Sequence, residues 1–322
     1  MLHFPTNLEI DITGRCNYNC SFCRNGHLDV YNDMDFDTII RLLNECVKHG
    51  IFSISISGGE PTMHCRFNEI VSYIGKINIA WALTTNGSNI DDNLAELLSC
   101  NGIKSVYITL SGFTNITETK HKNADHVFDK TMQAIQSCKK YQIPVVLGYI
   151  LTPMNISEIN MFIDFCLKNC IRAKLTRVYP MGNALDNNNL FISEETYKIL
   201  LKEFKDKLGK LALLGENSVP FEKRVCSAGV LSCVVGYDYN VYPCVNFLGD
   251  QKVSCGSILD SSLYDIWNSS KVMNAFRTPR VYMPYCQKCS YKDTCNGGCR
   301  AEAYKQSGDY CIIEKSCDYV CF

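Results

Sequence analysis

From residue 8 to about 205 the chain alternates short apolar runs with longer stretches of helical period. The runs at 8–12, 51–56, 79–84, 103–110, 144–151 and 173–178 have the length and apolar content of buried strands. The segments 35–49, 66–75, 91–100, 127–141, 156–169 and 193–208 instead place apolar residues three and four apart, as helices do. In the first of these, Asp35 stands where an N-cap belongs, and Ile39, Ile40, Leu42, Leu43, Cys46 and Val47 form one wide apolar face. Strand then helix, six times over, predicts a parallel sheet with right-handed crossovers, either an open doubly wound sheet or a barrel. The Asn-rich residues 182–192 break the pattern. Beyond about 216 helical period fades, and short runs alternate with Gly, Pro, Asn and Cys. There LSCVVGYDYNVYPC predicts a small hairpin turning near 238–240. A boundary falls near 210–222, giving domains 1–215 and 216–322.

With 322 residues and 46% hydrophobic composition, the chain has enough apolar material for one large domain, or for one domain and a smaller one. Its 32 basic and 33 acidic residues balance, so no nucleic-acid partner is expected. The opening MLHFPTNLEIDITGRC lacks the charged start and apolar run of a signal peptide. No run of 18 apolar residues exists, so no membrane partner is expected and the location read is cytoplasmic. Cysteine changes the picture. There are 20, and eleven lie from Cys226 onward in the last 97 residues. Without an export signal they point to reduced thiols and metal rather than disulfides.

Three of them, Cys16, Cys20 and Cys23, follow directly on the first strand run. That is the C-terminal end of the strand, where parallel α/β folds build their sites. Structural zinc requires four closed ligands, and His27 is the local candidate for the fourth. An iron–sulfur cube on three thiolates instead leaves one iron open to a substrate or cofactor. At the end of the second strand run lies ISGGEP. Gly58 and Gly59 permit close backbone approach, and Glu60 offers an acceptor to an ammonium.

C-x3-C-x2-C after the first strand, with GGEP after the second, resembles the signature of radical S-adenosylmethionine (SAM) enzymes. The resemblance implies a partial (β/α)6 TIM-type barrel with a [4Fe–4S] cluster on Cys16, Cys20 and Cys23. S-adenosylmethionine would chelate the open iron, and Gly58, Gly59 and Glu60 would meet its amino group. TTNG, Thr84 to Gly87, ends the third strand as in the family. ITLSG lies where relatives often read SLDG. Thr109 keeps the hydroxyl, implying a cofactor contact, while Ser111 replaces the acid. Of the His-Asp-x-x-Arg segment that follows in many relatives, His121 is present and the arginine is not, so no arginine contact carries over. RVYPMGNA resembles the end of the sixth strand, with Arg177 either at the mouth of the site or an ordinary surface arginine.

The later cysteines resemble the SPASM extension, an iron–sulfur domain. The resemblance implies two auxiliary [4Fe–4S] clusters, one on Cys226, Cys244 and Cys299, the other on Cys286, Cys289, Cys295 and Cys317. Those seven thiols are one short of eight. Cys233 and Cys255 are the nearest candidates, Cys311 and Cys321 come after them, and an open iron or a zinc knuckle is the alternative. Tyr239 stands where relatives usually carry glycine. The remaining Cys46, Cys65, Cys100, Cys138, Cys166 and Cys170 read mainly as buried small hydrophobes. No catalytic side chain is assigned from sequence.

The family's chemistry implies an oxidoreductase that generates a 5′-deoxyadenosyl radical, fed by an electron donor such as flavodoxin or ferredoxin. The substrate implied is a ribosomally synthesised peptide, modified by crosslink, thioether or epimerisation. The alternative is oxidation of a small molecule or protein side chain, of the sugar-alcohol dehydrogenase or sulfatase-maturase type. Peptide maturases often begin with a leader-binding domain. With its first strand run at residue 8, this chain would use a separate leader-binding protein. A cluster- or zinc-carrying scaffold or redox sensor, the reading outside enzymes, has no use for GGEP.

Overall fold

The computed structural model describes residues 2–26, 32–213, 226–278, 287–288 and 298–312. Each predicted strand run forms a strand: β1 (Asn7–Asp11), β2 (Ser53–Ser57), β3 (Ala80–Thr85), β4 (Ser105–Leu110), β5 (Val145–Leu151) and β6 (Arg172–Arg177). They lie side by side in chain order, and β2 to β6 pair in parallel. A doubly wound sheet reverses its strand order at a switch point. Here the order never reverses, so right-handed crossovers lay every helix on one face and the sheet curls. β1 and β6 are not neighbours. The arc therefore stays open, as a partial (β/α)6 barrel.

Side chains alternate along the strands as a pleat demands. Ile54, Ile56, Trp81, Leu83, Val106 and Ile108 are buried. The alternate positions Ser53, Ser55, Ala82, Thr84, Tyr107 and Thr109 are half-buried, giving the other face a hydroxyl-rich character. The helices of this unit are α1 (Phe36–Lys48), α2 (Phe67–Ile77), α3 (Asp92–Cys100), α4 (Asn115–Lys122), α5 (Val127–Lys140), α6 (Ile159–Asn169) and α7 (Glu194–Leu208). Asp35 caps α1 by accepting from Thr38 N at 3.0 Å. That helix buries Ile39, Leu42, Leu43 and Cys46, whereas Val47 is 46% exposed, so the apolar face is narrower than expected. Helix α4 was not expected, because the face it buries is polar: Thr117, Glu118, His121 and Lys122.

The chain separates into two compact units, Ile10–Leu213, and 214–322 together with 1–9. In the second, Leu231 O accepts from Thr6 N and Asn7 N at 2.8 and 3.2 Å, and Trp267 Nε1 donates to Leu2 O at 3.0 Å. The expected hairpin is β7 (Ser232–Val235) against β8 (Val241–Tyr242), antiparallel. Tyr239 in its turn has φ of 65°, the left-handed conformation that glycine adopts without strain. The Asp238 carboxylate holds this turn, accepting from Asn240 N at 3.1 Å and from Tyr242 Oη at 2.6 Å. Where helical period seemed to fade, α8 (Leu263–Ser269) and α9 (Lys271–Arg277) form as short helices capped by Ser262 and Ser270, and α10 (Arg300–Ser307) follows Cys299. Among the described residues no helix is long and apolar enough to cross a membrane.

Asp238→Ala leaves the Tyr242 hydroxyl, on a fully buried ring, without its carboxylate acceptor. The expected cost is about 1–3 kcal/mol, visible as a lower urea midpoint for the transition that reports this unit.

Candidate cofactor site

The chain leaves β1 at Asp11 and turns at Thr13, which is buried. Thr13 Oγ1 donates to Asp33 Oδ1 at 2.6 Å and accepts from Arg15 N at 3.0 Å. The GGE segment lies against this turn. Gly59 N donates to Thr13 O at 2.8 Å and Glu60 N to Arg15 O at 2.7 Å. A Cβ on Gly58 would stand 2.4 Å from Thr13 O, and one on Gly59 2.4 Å from Arg15 O. The close approach for which the glycines are needed is thus to the cysteine loop itself. Glu60 is fully buried. Its Oε1 accepts from Thr62 N, Thr62 Oγ1 and Thr85 Oγ1 at 3.2, 2.6 and 2.7 Å, and its Oε2 from Asn86 N at 2.7 Å. Burial lifts its pKa above the ordinary carboxylate value, and these donors pull the other way. The side chain expected to meet an ammonium therefore also ties the end of β2 to the TTNG turn.

That turn reaches the thiols. Asn86 Nδ2 donates to Asn17 Oδ1 at 2.9 Å and to Cys16 Sγ at 3.9 Å, and Tyr18 N donates to Cys16 Sγ at 3.5 Å. Two further segments hold the rest of the loop. At the end of α4, His121 O accepts from Ser21 N at 2.8 Å and Lys122 O from Asn19 N at 3.3 Å. Beyond β6, Asn183 N donates to Cys23 O and its Nδ2 to Cys20 O, both at 2.9 Å. Gly182 beside it has φ of 49° and no room for a Cβ, which would meet Cys23 O at 2.2 Å. The segments after β2, β3, β4 and β6 all converge on residues 13–26.

Cys16 is exposed at its surface, and Cys20 and Cys23 are half-buried. Enclosure by the surrounding loops still pushes the Cys16 thiol up to about 11, with Glu60 and Cys23 adding to the rise. Burial raises Cys20 and Cys23 too. At Cys20 the Lys122 charge is the strongest influence in the other direction, while the neighbouring thiols push it further up. Thiols that oppose one another's ionisation call for a cation among them. Among the described residues only Asp33, His64 and Cys65 bring three ligand atoms within 4.8 Å of one another, so at least one pair of the three thiols lies farther apart than that. One zinc ion, at about 2.3 Å from each sulfur, holds its ligands closer than that. A cube with iron at separate corners fits the wider spread. The Asp33, His64 and Cys65 group is no metal site, since His64 Nε2 meets Met34 O at 2.9 Å and Nδ1 accepts from Arg66 N at 3.0 Å. His27 lies outside the described residues.

Thr109 is half-buried at the end of β4, and its carbonyl accepts from Lys122 Nζ at 2.7 Å. Arg177 pairs with Glu194 and lies over the rings of Tyr179 and Tyr197, so it packs β6 to α7. In the other unit, Cys226, Cys244 and Cys299 pack against one apolar cluster that contains Ala228, Tyr242, Phe247, Val253, Phe276 and Ala301. Cys255 Sγ lies 3.9 Å from Val253 O, and burial pushes its thiol up to about 12. Cys233 is buried and Cys311 exposed. Cys286, Cys289, Cys295, Cys317 and Cys321 lie outside the described residues. Cys46, Cys138 and Cys166 are buried as expected, but Cys65, Cys100 and Cys170 are exposed. These three sit at turns and helix ends, where the apolar face has already passed.

Residues 10–166 match the Radical SAM superfamily, and residues 226–290 match SPASM, an iron-sulfur cluster-binding domain. The chain is a radical SAM enzyme with an SPASM domain. It is 23% identical over 338 residues to the AdoMet-dependent heme synthase of Nitratidesulfovibrio vulgaris, covering 96% of this chain and 91% of the relative. Against the mycofactocin maturase MftC of Mycobacterium tuberculosis the identity is 23% over 316 residues, covering 94% and 80%. Streptococcus suis SuiB bound to its precursor peptide SuiA shares the fold, with a TM-score of 0.81 at 18% identity, covering 98% of this chain and 76% of SuiB. The two family models give this radical SAM enzyme S-adenosylmethionine and iron–sulfur clusters as its cofactors.

Asn155 and Glu158, which sequence reasoning missed, brace the segment after β4, and His121, singled out there, is enclosed beside them. Asn155 Nδ2 donates to Ser111 O and Ile150 O, both at 2.7 Å, and Glu158 Oε1 accepts from Thr114 Oγ1 at 3.0 Å. His121 is fully buried with Nε2 2.9 Å from Thr152 Oγ1, and burial lowers its pKa. The available signal was Thr114 as N-cap, with Glu118 and Lys122 four apart.

Glu60→Gln places an amide N–H₂ against one of four donors. The expected loss is about 1–3 kcal/mol, read by thermal unfolding of the anaerobically purified protein. Gly58→Ala, with φ of 147° and a Cβ against Thr13 O, costs more and lowers bound iron per chain.

Proposed function

We propose that Cys16, Cys20 and Cys23 hold the radical SAM cluster, that Gly58, Gly59, Glu60 and Thr109 border the S-adenosylmethionine, and that the enzyme modifies a ribosomally synthesised peptide. The observation that carries the site is the convergence of four strand ends on one three-thiol loop. When bound, cluster and S-adenosylmethionine supply reductive cleavage of a sulfonium C–S bond and a hydrogen-abstracting 5′-deoxyadenosyl radical. The chain's own part is to hold the thiols wide apart, seat the loop, and present the hydroxyl-rich face of the barrel. Uncharged hydroxyls suit a peptide backbone, because they donate and accept without imposing a charge. The maturase MftC and SuiB, which is seen with a precursor peptide, favour the same substrate class. Cys226, Cys244 and Cys299 serve one auxiliary cluster, and Cys286, Cys289, Cys295 and Cys317 the other. A flavodoxin or ferredoxin supplies electrons, a separate leader-binding protein delivers the peptide, and the reaction runs in the cytoplasm, where thiols stay reduced. The heme synthase relative favours a second reading, oxidation of a small molecule.

The test is anaerobic incubation of the reconstituted protein with S-adenosylmethionine and dithionite, together with short peptides encoded beside its gene. Formation of 5′-deoxyadenosine is expected together with a peptide whose mass changes by whole hydrogens, or whose stereocentre inverts at unchanged mass. No 5′-deoxyadenosine from a protein with its clusters loaded sinks the enzyme reading, and nucleoside formed with every peptide unchanged favours the small molecule. Cys16→Ala, Cys20→Ala and Cys23→Ala are each expected to abolish the nucleoside. Cys244→Ala is expected to lower iron per chain and spare part of the nucleoside yield.

A further inference from the structure

We infer that the buried Glu118–Lys122 ion pair is a positioning pair that fixes both the seat and the charge of the cysteine loop at Cys20. The inference rests on the reading of Cys20 as a cluster ligand. Lys122 is 1% exposed and Glu118 0%, with Nζ and Oε2 3.0 Å apart. Sealing an ion pair away from water costs desolvation, so the pair is weak evidence for stability as such. Its partners indicate its use. Glu118 Oε1 accepts from Ser111 N at 2.6 Å and Gly112 N at 3.1 Å, and Oε2 from Ser111 Oγ at 3.2 Å. Lys122 Nζ donates to Thr109 O. One side chain thus grips the N–H groups just past β4, and the other grips the carbonyl at its end.

The same turn of helix holds the cysteine loop. The carbonyls of His121 and Lys122 take Ser21 N and Asn19 N, the residues on either side of Cys20. The ammonium also lies 5.9 Å from the centre of the Tyr18 ring, within the same loop. Thr109, Ser111 and the loop around Cys20 are therefore connected through a single pair of opposite charges. Cluster potentials respond to nearby charge and to hydrogen bonding, and in a buried setting a unit charge is poorly screened. Removing the ammonium alone leaves a carboxylate facing the loop and makes the cluster harder to reduce. Neutralising the carboxylate alone leaves the ammonium and makes it easier.

The experiment is a potentiometric titration of the reconstituted full-length protein. It follows the electron paramagnetic resonance signal that changes when S-adenosylmethionine is added. Lys122→Met is expected to lower the midpoint potential, Glu118→Gln to raise it, and the double variant to fall between them. If Lys122→Met does not fold, Glu118→Gln against the neutral double variant still isolates the Lys122 charge. Two shifts of the same sign, or unchanged potentials with less iron bound, overturn the inference and reduce the pair to a strut. A wild-type protein whose signals all ignore S-adenosylmethionine overturns the ligand reading first, and the pair's role with it.

Discussion

Three thiolates within eight residues repel one another, and no regular secondary structure can hold them open. Everything around the site answers that constraint. The loop from Thr13 to Gly26 takes its shape from other segments, which grip its backbone from four directions. Because those segments all follow parallel strands, they lie at one end of the barrel without any special arrangement. The shape of the loop thus comes from hydrogen bonds to those segments.

The grip also explains residue types that look wasteful. Gly58, Gly59 and Gly182 are bare because backbone from the cysteine loop occupies the space of a side chain. Glu60 is buried because four donors converge on it, two from Thr62 beside it and two from Thr85 and Asn86 at the end of β3. In each case a motif that borders the cofactor in family terms also has a structural task in holding the cysteine loop. Substitutions there are hard to interpret by activity alone, which makes unfolding and iron content the cleaner measures.

Helix α4 shows the same economy in a polar setting. It has no apolar stripe to bury, yet Thr117, Glu118, His121 and Lys122 are all enclosed. It is held by a cap at Thr114 and by hydrogen bonds to the end of β4 and to the cysteine loop. Buried polar groups of this kind tolerate few alternatives, because each needs its partner. A lysine one residue past His121 supplies the buried cation.

The six strands, most of the helices and the cysteine motifs were legible in the chain itself, because burial imposes a period that sequence must follow. Asp35 as a cap and the hairpin around Asp238 were legible for the same local reason. Hydrophobic period could not reveal α4, whose buried face is polar, nor the exposure of Cys65, Cys100 and Cys170, which depends on where each helix ends. Nor could it choose a barrel over an open sheet, since both alternate strand and helix. That choice, and the meeting of Glu60 with Asn86 or of Asn183 with Cys23, rests on hydrogen bonds between residues far apart in the chain. Sequence singled out the candidate groups, the three thiols and the GGEP segment. Only the packed structure decided which of them share a loop's worth of space.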